Sequence, residues 1–106
     1  MTDKFPETQI NFISSAEYKD EGNAHFKNGT FDKAVECYTM AQSLDIANPV
    51  YPANRAMANL KLKNWKEAEE DCTRALRHDP TYEKALFRRY VLKLKSFGVT
   101  WIPWYI

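Results

Sequence analysis

The side chains that most often carry chemistry are scarce in this chain and badly spaced for it. There are two histidines, His25 and His78, two cysteines, Cys37 and Cys72, and three glycines, Gly22, Gly29 and Gly98. Nothing reads CxxC, HExxH, GxGxxG or GxxxxGK followed by Ser or Thr. The spacings that hold zinc, attach haem or cradle phosphate are therefore missing. No metal, cofactor or catalytic residue is expected, and the chain is not expected to be an enzyme. His25 is expected to pack in the core and His78 to lie on the surface. Glu69, Glu70 and Asp71 diverge if helical, and are expected to form a solvated face. The opening residues, Met1 to Glu7, have no apolar export core, so the cysteines read as reduced, small apolar fillers in a cytoplasmic protein.

Binding is what remains, and composition narrows its kind. The chain has 106 residues, which suits one domain, and 44% of them are hydrophobic, enough for a core. Its 15 basic and 14 acidic residues leave a formal charge of +1, so a general attraction to nucleic acid is not expected. The charge is uneven: residues 1–79 carry 10 basic and 13 acidic side chains, residues 80–106 five and one. That basic end has no nucleic-acid motif. No apolar run is long enough to cross a membrane.

The elements that must position a binding site appear as an internal repeat. A shift of 34 residues places Gly22 on Ala56, Ala24 on Ala58, Lys27 on Lys61, Phe31 on Trp65, Ala34 on Ala68, Ala41 on Ala75 and Asp45 on Asp79. Small residues meet small ones and aromatics meet aromatics, as in a stacked repeat. Each unit reads as two helices. Ser14 and Glu17 form a capping box for the first, and Gly29 suits the left-handed turn that stops it. Phe31, Ala34, Val35, Tyr38, Ala41 and Leu44 make the apolar stripe of the second. Asn48 and Pro49 open the next unit, and Pro52 is tolerated in a first turn if that helix starts near Val50. Trp65, Ala68, Cys72, Ala75 and Leu76 face inward on the fourth helix, which Asp79 and Pro80 break. A fifth runs from about Thr81 to Ser96 with Ala85, Leu86, Val91, Leu92 and Leu94. Gly22 and Ala56, like Ala34 and Ala68, allow helices to approach to about 8–10 Å. Stacked helix pairs make a solenoid with a concave groove.

This pattern resembles the tetratricopeptide repeat, on the small residues at 22 and 56, the aromatics at 31 and 65, the alanines at 34, 41, 68 and 75, and the closing Asp79-Pro80. The first unit departs from the pattern, with Ile46 where a proline usually stands. The resemblance implies an all-α, right-handed solenoid: two full helix-turn-helix repeats, at about 15–48 and 49–82, and a half repeat at 83–98. Residues 1–13 are expected to be a flexible leader and 99–106 an irregular aromatic end. The stretches 52–58 and 67–73 are similar to the repeats of RNA polymerase II-associated protein three and its sperm-associated relatives, adaptors that link chaperones to an assembly machine.

In the family, the first helix of each unit lines the groove, and the clamp-type co-chaperones carry there a Lys and Asn four apart, a middle-helix Asn, and a Lys and Arg four apart. Lys19, Asn23, Asn54, Lys84 and Arg88 stand at those positions. Residues four apart share a helix face, so each pair offers a two-pronged donor. The resemblance implies that Lys19, Asn23 and Asn54 hold a terminal carboxylate, and Lys84 and Arg88 an aspartate side chain. The implied partner is the Glu-Glu-Val-Asp tail of the seventy- and ninety-kilodalton heat-shock chaperones. Met57, Leu60 and the stem of Lys61 are implied to contact its valine. The competing readings are a generic repeat scaffold for another peptide and a fragment of a larger enzyme.

The repeat pattern fails near the end. Tyr90 stands where glycine or alanine is usual, and residues 99–106 are not expected to form the partner helix of the fifth. Trp101, Ile102, Trp104 and Tyr105 are expected to fold back over the open edge. The alternative is self-association through that edge.

Overall fold

The structure, a computed structural model, describes residues 13–98. Those residues form five α-helices and no strand: α1 (Ser15–Lys27), α2 (Phe31–Leu44), α3 (Val50–Lys61), α4 (Trp65–His78) and α5 (Glu83–Ser96). Among them, no helix is long and apolar enough to cross a membrane. The fifth helix begins two residues later than the sequence suggested, because Asp79 folds the chain locally. Its Oδ1 accepts from the Thr81 backbone N–H at 3.1 Å and from the Thr81 hydroxyl at 2.8 Å, an Asx turn that holds Thr81 outside the helix.

The 34-residue period extends to the backbone angles. Thr30 and Asn64 precede α2 and α4 with φ, ψ of −90°, 70° and −87°, 75°. Asp45 and Asp79 end them at −149°, 75° and −144°, 95°. The stop after α1 uses Gly29 at φ 79°, and the same place after α3 holds Lys63 at φ 63°. Ser14 caps α1 as expected: its hydroxyl accepts from Glu17 N–H at 3.1 Å, and Glu17 returns the bond at 2.8 Å. Pro52 lies within the first turn of α3, where no intrahelical donor is lost.

Small residues set the helix spacing. Ala34, Ala41, Ala56, Ala68 and Ala75 are fully buried. A Cβ at Gly22 would come within 2.6 Å of Tyr38 Cε1, so α1 lies on the face of that ring. Phe26 and Phe31 close the first turn edge to face, 5.0 Å apart. Ala24 is exposed although its counterpart Ala58 is buried: α3 has α2 packed beside it, and among the described residues no helix precedes α1. α3 packs on α2, α4 and α5 and is the centre of the stack. Val91 and Leu92 anchor α5 as expected, and Lys95 Nζ lies 4.8 Å from the Trp65 ring centroid. Leu86 is exposed instead, with Phe87 and Tyr90. The segment expected to cover that side, 99–106, lies outside the described residues, as does the leader up to residue 12.

The expectation of a solvated acidic face at 69–71 is corrected at Asp71, which is buried. Arg55 reaches from α3 to its carboxylate, with Nη2 at 2.6 Å and Nε at 3.0 Å. Asn59 Nδ2 adds a bond at 3.0 Å, and Arg55 Nη1 also donates to Thr39 Oγ1 on α2. One residue thus ties α2, α3 and α4 on the side away from the groove. The burial is repaid by charge-assisted bonds to nearly every lone pair. Glu69 and Glu70 are exposed as expected.

Candidate functional site

α1, α3 and α5 are the first helices of their units, and with α2 they enclose a hollow of about 450 Å³. α1 contributes Asn23, Phe26 and Lys27, α2 contributes Tyr38, α3 contributes Asn54 and Met57, and α5 contributes Lys84 and Arg88. Among the described residues the lining therefore holds three cations and two amides and no carboxylate. Four of the five residues matched to the clamp positions meet here: Asn23, Asn54, Lys84 and Arg88. Met57 joins them.

Arg88 is the least ordinary of these groups. Its side chain is buried, only 7% exposed, yet among the described residues no carboxylate bonds to it. Nη1 donates to the Ala53 carbonyl at 2.6 Å, and Nη2 approaches Met57 Sδ at 3.0 Å. Burial lowers its pKa from the ordinary arginine value. A guanidinium has five N–H donors, and a neutral carbonyl and a thioether leave its charge uncompensated. An anion entering the hollow would supply the missing counter-charge. The bond to Ala53 also fixes α5 against α3, so the charge is held at a set height in the groove.

Asn23 is oriented from across the first unit. The Tyr38 hydroxyl donates to its Oδ1 at 2.5 Å, and burial pushes the Tyr38 pKa up to about 12, so the phenol keeps its proton. With Oδ1 engaged, the amide presents its NH₂ donors outward. Tyr51 on α3 donates to Ser15 Oγ at 3.2 Å and sets the α1–α3 separation near the start of both helices.

Three of the residues expected at the site do not line the hollow. Lys19 stands one turn before Asn23, half-buried, with Nζ 4.0 Å from Asp20 Oδ1. An exposed pair at that separation holds it weakly. Leu60 packs against the core of Ala56, Ala68, Cys72 and Leu92, and Lys61 is exposed at the end of α3. Conversely, Phe26, Lys27 and Tyr38 were not anticipated. Lys27 had a signal, since it continues the four-residue series from Lys19 and Asn23 on one face of α1. Tyr38 had none: its stripe position marks it only as core, and the reach of its hydroxyl to Asn23 comes from helix packing.

Comparison with known proteins agrees with this architecture. A family model of the tetratricopeptide repeat matches residues 53–82. RNA polymerase II-associated protein 3 of Mus musculus is 51% identical over 71 residues, 67% of this chain but only 11% of that protein. The human mitochondrial import receptor subunit TOM70 is 43% identical over 76 residues, 12% of its length. The chain thus spans about a tenth of the length of the curated relatives it matches. Among solved structures, the second repeat domain of Spaghetti (RPAP3), bound to the HSP90 peptide SRMEEVD, is 43% identical with a TM-score of 0.77, covering 88% of this chain and 86% of that one. The second repeat domain of human RPAP3, in complex with the HSP70 peptide SGPTIEEVD, is 44% identical with a TM-score of 0.74, covering 79% and 70%. The expected resemblance to that adaptor's repeats is borne out, and so is the all-α solenoid. With its period, packing and turn angles repeated through two units and a fifth helix added, the chain belongs to the tetratricopeptide-repeat family.

Proposed function

We propose that this chain is a co-chaperone adaptor that docks the acidic C-terminal Glu-Glu-Val-Asp tail of heat-shock chaperones in the groove of α1, α3 and α5. The observation that carries the reading is the buried Arg88 charge, without a carboxylate partner among the described residues, in a hollow shared with Lys27, Lys84, Asn23 and Asn54. A C-terminal aspartate brings two carboxylates close together. Lys84 and Arg88 take its side chain, and Asn23 and Asn54 take the terminal carboxylate and last peptide unit. Lys19 adds a donor at the rim, and Lys27 faces an upstream acidic residue. Met57 is the apolar contact for the valine, with Leu60 and the stem of Lys61 beyond it. The peptides named with the solved relatives end in this sequence, which supports the same ligand here. Cytoplasmic chaperones are the partners this implies, with a place in a chaperone-linked assembly complex and no chemical step on this chain.

The test is titration with the peptide SRMEEVD, with a free and with an amidated C-terminus. Affinity for the free peptide is expected to be about micromolar, about −8 kcal/mol. Charge-assisted hydrogen bonds contribute about 1.5–3 kcal/mol each, less where exposed. Asn54→Ala and Lys84→Ala are therefore each expected to weaken binding by about 1–2 kcal/mol, a factor of about 5–30, and added salt weakens it further. Equal affinity for free and amidated peptide would sink the reading.

A further inference from the structure

On the flank of α1 turned away from the groove, Glu21 and His25 lie four residues apart on one face, and α2 brings Cys37 against them. His25 follows Asn23 by two residues, about 200° around a helix of 3.6 residues per turn, so a ligand here does not compete with one in the groove. One donor atom from each of the three side chains lies within 4.8 Å of the other two. Glu21 is exposed, and His25 and Cys37 are half-buried.

Thr30 sets which nitrogen of the His25 ring faces a hydrogen-bond acceptor. The Thr30 hydroxyl donates its only proton to the His25 carbonyl at 3.0 Å. Its oxygen can then only accept from His25 Nδ1, also 3.0 Å away. Nδ1 therefore carries a proton, and in the neutral tautomer this selects, Nε2 has the lone pair a metal would take. An oxygen acceptor on the non-ligating nitrogen is the usual support of a metal-bound histidine.

We propose that Glu21, His25 and Cys37 form an open three-ligand site for a zinc-type divalent ion, with water in the fourth position. One carboxylate, one imidazole and one thiolate are a borderline-soft set, suited to zinc and unsuited to calcium or magnesium, which take oxygen ligands. A tetrahedral ion with bonds of about 2.0–2.3 Å spaces its donors about 3.3–3.8 Å apart. The exposed Glu21 side chain is free to close that gap. Burial, then the Glu21 and Glu36 charges, raise the Cys37 pKa, so the thiol is protonated and is no activated nucleophile. On binding, the S–H bond breaks, Sγ bonds the metal, and the proton leaves to solvent. Only the Glu21–His25 spacing is local, so the amino-acid order carries no sign of the site. Cys37 arrives from the next helix.

Cobalt(II) titration of the full chain, followed by displacement with zinc, tests the site. One equivalent of cobalt is expected to produce visible d–d bands and a near-ultraviolet thiolate-to-cobalt charge-transfer band, both bleached by zinc. Cys37→Ser abolishes the charge-transfer band, His25→Gln weakens binding at least about tenfold, and Thr30→Val weakens it about 10–100-fold with the bands retained. His78→Gln changes nothing. Should a variant fail to fold by circular dichroism, zinc protection of wild-type Cys37 against alkylation, mapped by mass spectrometry, reports the same contact. No thiolate band, a band that survives Cys37→Ser, or unprotected Cys37 in saturating zinc overturns the proposal.

Discussion

Arg88 and Asn23 show two ways of holding a donor in place. Arg88 is buried on a carbonyl and a thioether, so its charge is positioned but not neutralised. Asn23 is aimed by the Tyr38 hydroxyl. Tyr38→Phe keeps the ring that α1 packs on and removes only that bond. It is expected to cost about 0.5–1.5 kcal/mol of stability and to weaken peptide binding a few-fold, because the freed amide can turn. Urea melts and peptide titration of the same variant measure the two effects. The contrast with Arg55 is instructive: it is also an arginine facing an unfilled need, but Asp71 satisfies it from within the chain.

At the level of helices, small residues permit close approach at defined places. Gly22 lets α1 lie on Tyr38, and a Cβ there would meet the ring at 2.6 and 2.9 Å. The ring is buried and also bonded to Asn23, so it cannot swing aside cheaply. Gly22→Ala is expected to destabilise the chain by about 1–3 kcal/mol as overpacking, read by thermal or urea unfolding. The second unit has Ala56 at the same place and tolerates it, because its facing residue is the smaller Cys72. The turns offer the opposite opportunity. Gly29 and Lys63 share a left-handed backbone, which strains a residue with a Cβ. Lys63→Gly is expected to stabilise by about 0.5–1 kcal/mol, after the added freedom of glycine in the unfolded chain is subtracted. A fall in the urea midpoint on this substitution would contradict the strain argument.

For the molecule as a whole, burial of neutral acids sets the response to alkali. Burial pushes the Cys72 thiol from its ordinary 9.0 up to about 12, and the Tyr38 phenol from 10.0 to about 12. Base therefore removes protons from the unfolded chain first. The stability these groups confer is complete below about pH 9 and is lost as pH rises toward 12. Urea midpoints across that range are expected to fall, and to fall less steeply in Cys72→Ala, whose own lower midpoint at neutral pH serves as its baseline. The uneven charge of the chain also finds its place at this scale. The basic final stretch contributes Lys84 and Arg88, which α5 brings to the same hollow as Lys27 from the first helix.

The periodic features were legible in the amino-acid order. The 34-residue shift, the capping box at Ser14, the stop at Gly29 and the buried alanines all follow from local sterics or from a repeat that states its constraint twice. Four of the five residues matched to clamp positions meet because repeat geometry carries them to one face. What required the folded chain was everything decided between helices. The burial of Asp71, the aiming of Asn23 by Tyr38, the addition of Lys27 and the exposure of Leu86 depend on which side chain of another helix stands opposite. So does the gathering of Glu21, His25 and Cys37. A one-dimensional pattern records the face on which a residue lies. The distance and chemistry of its neighbour across the interface are fixed only when the helices pack.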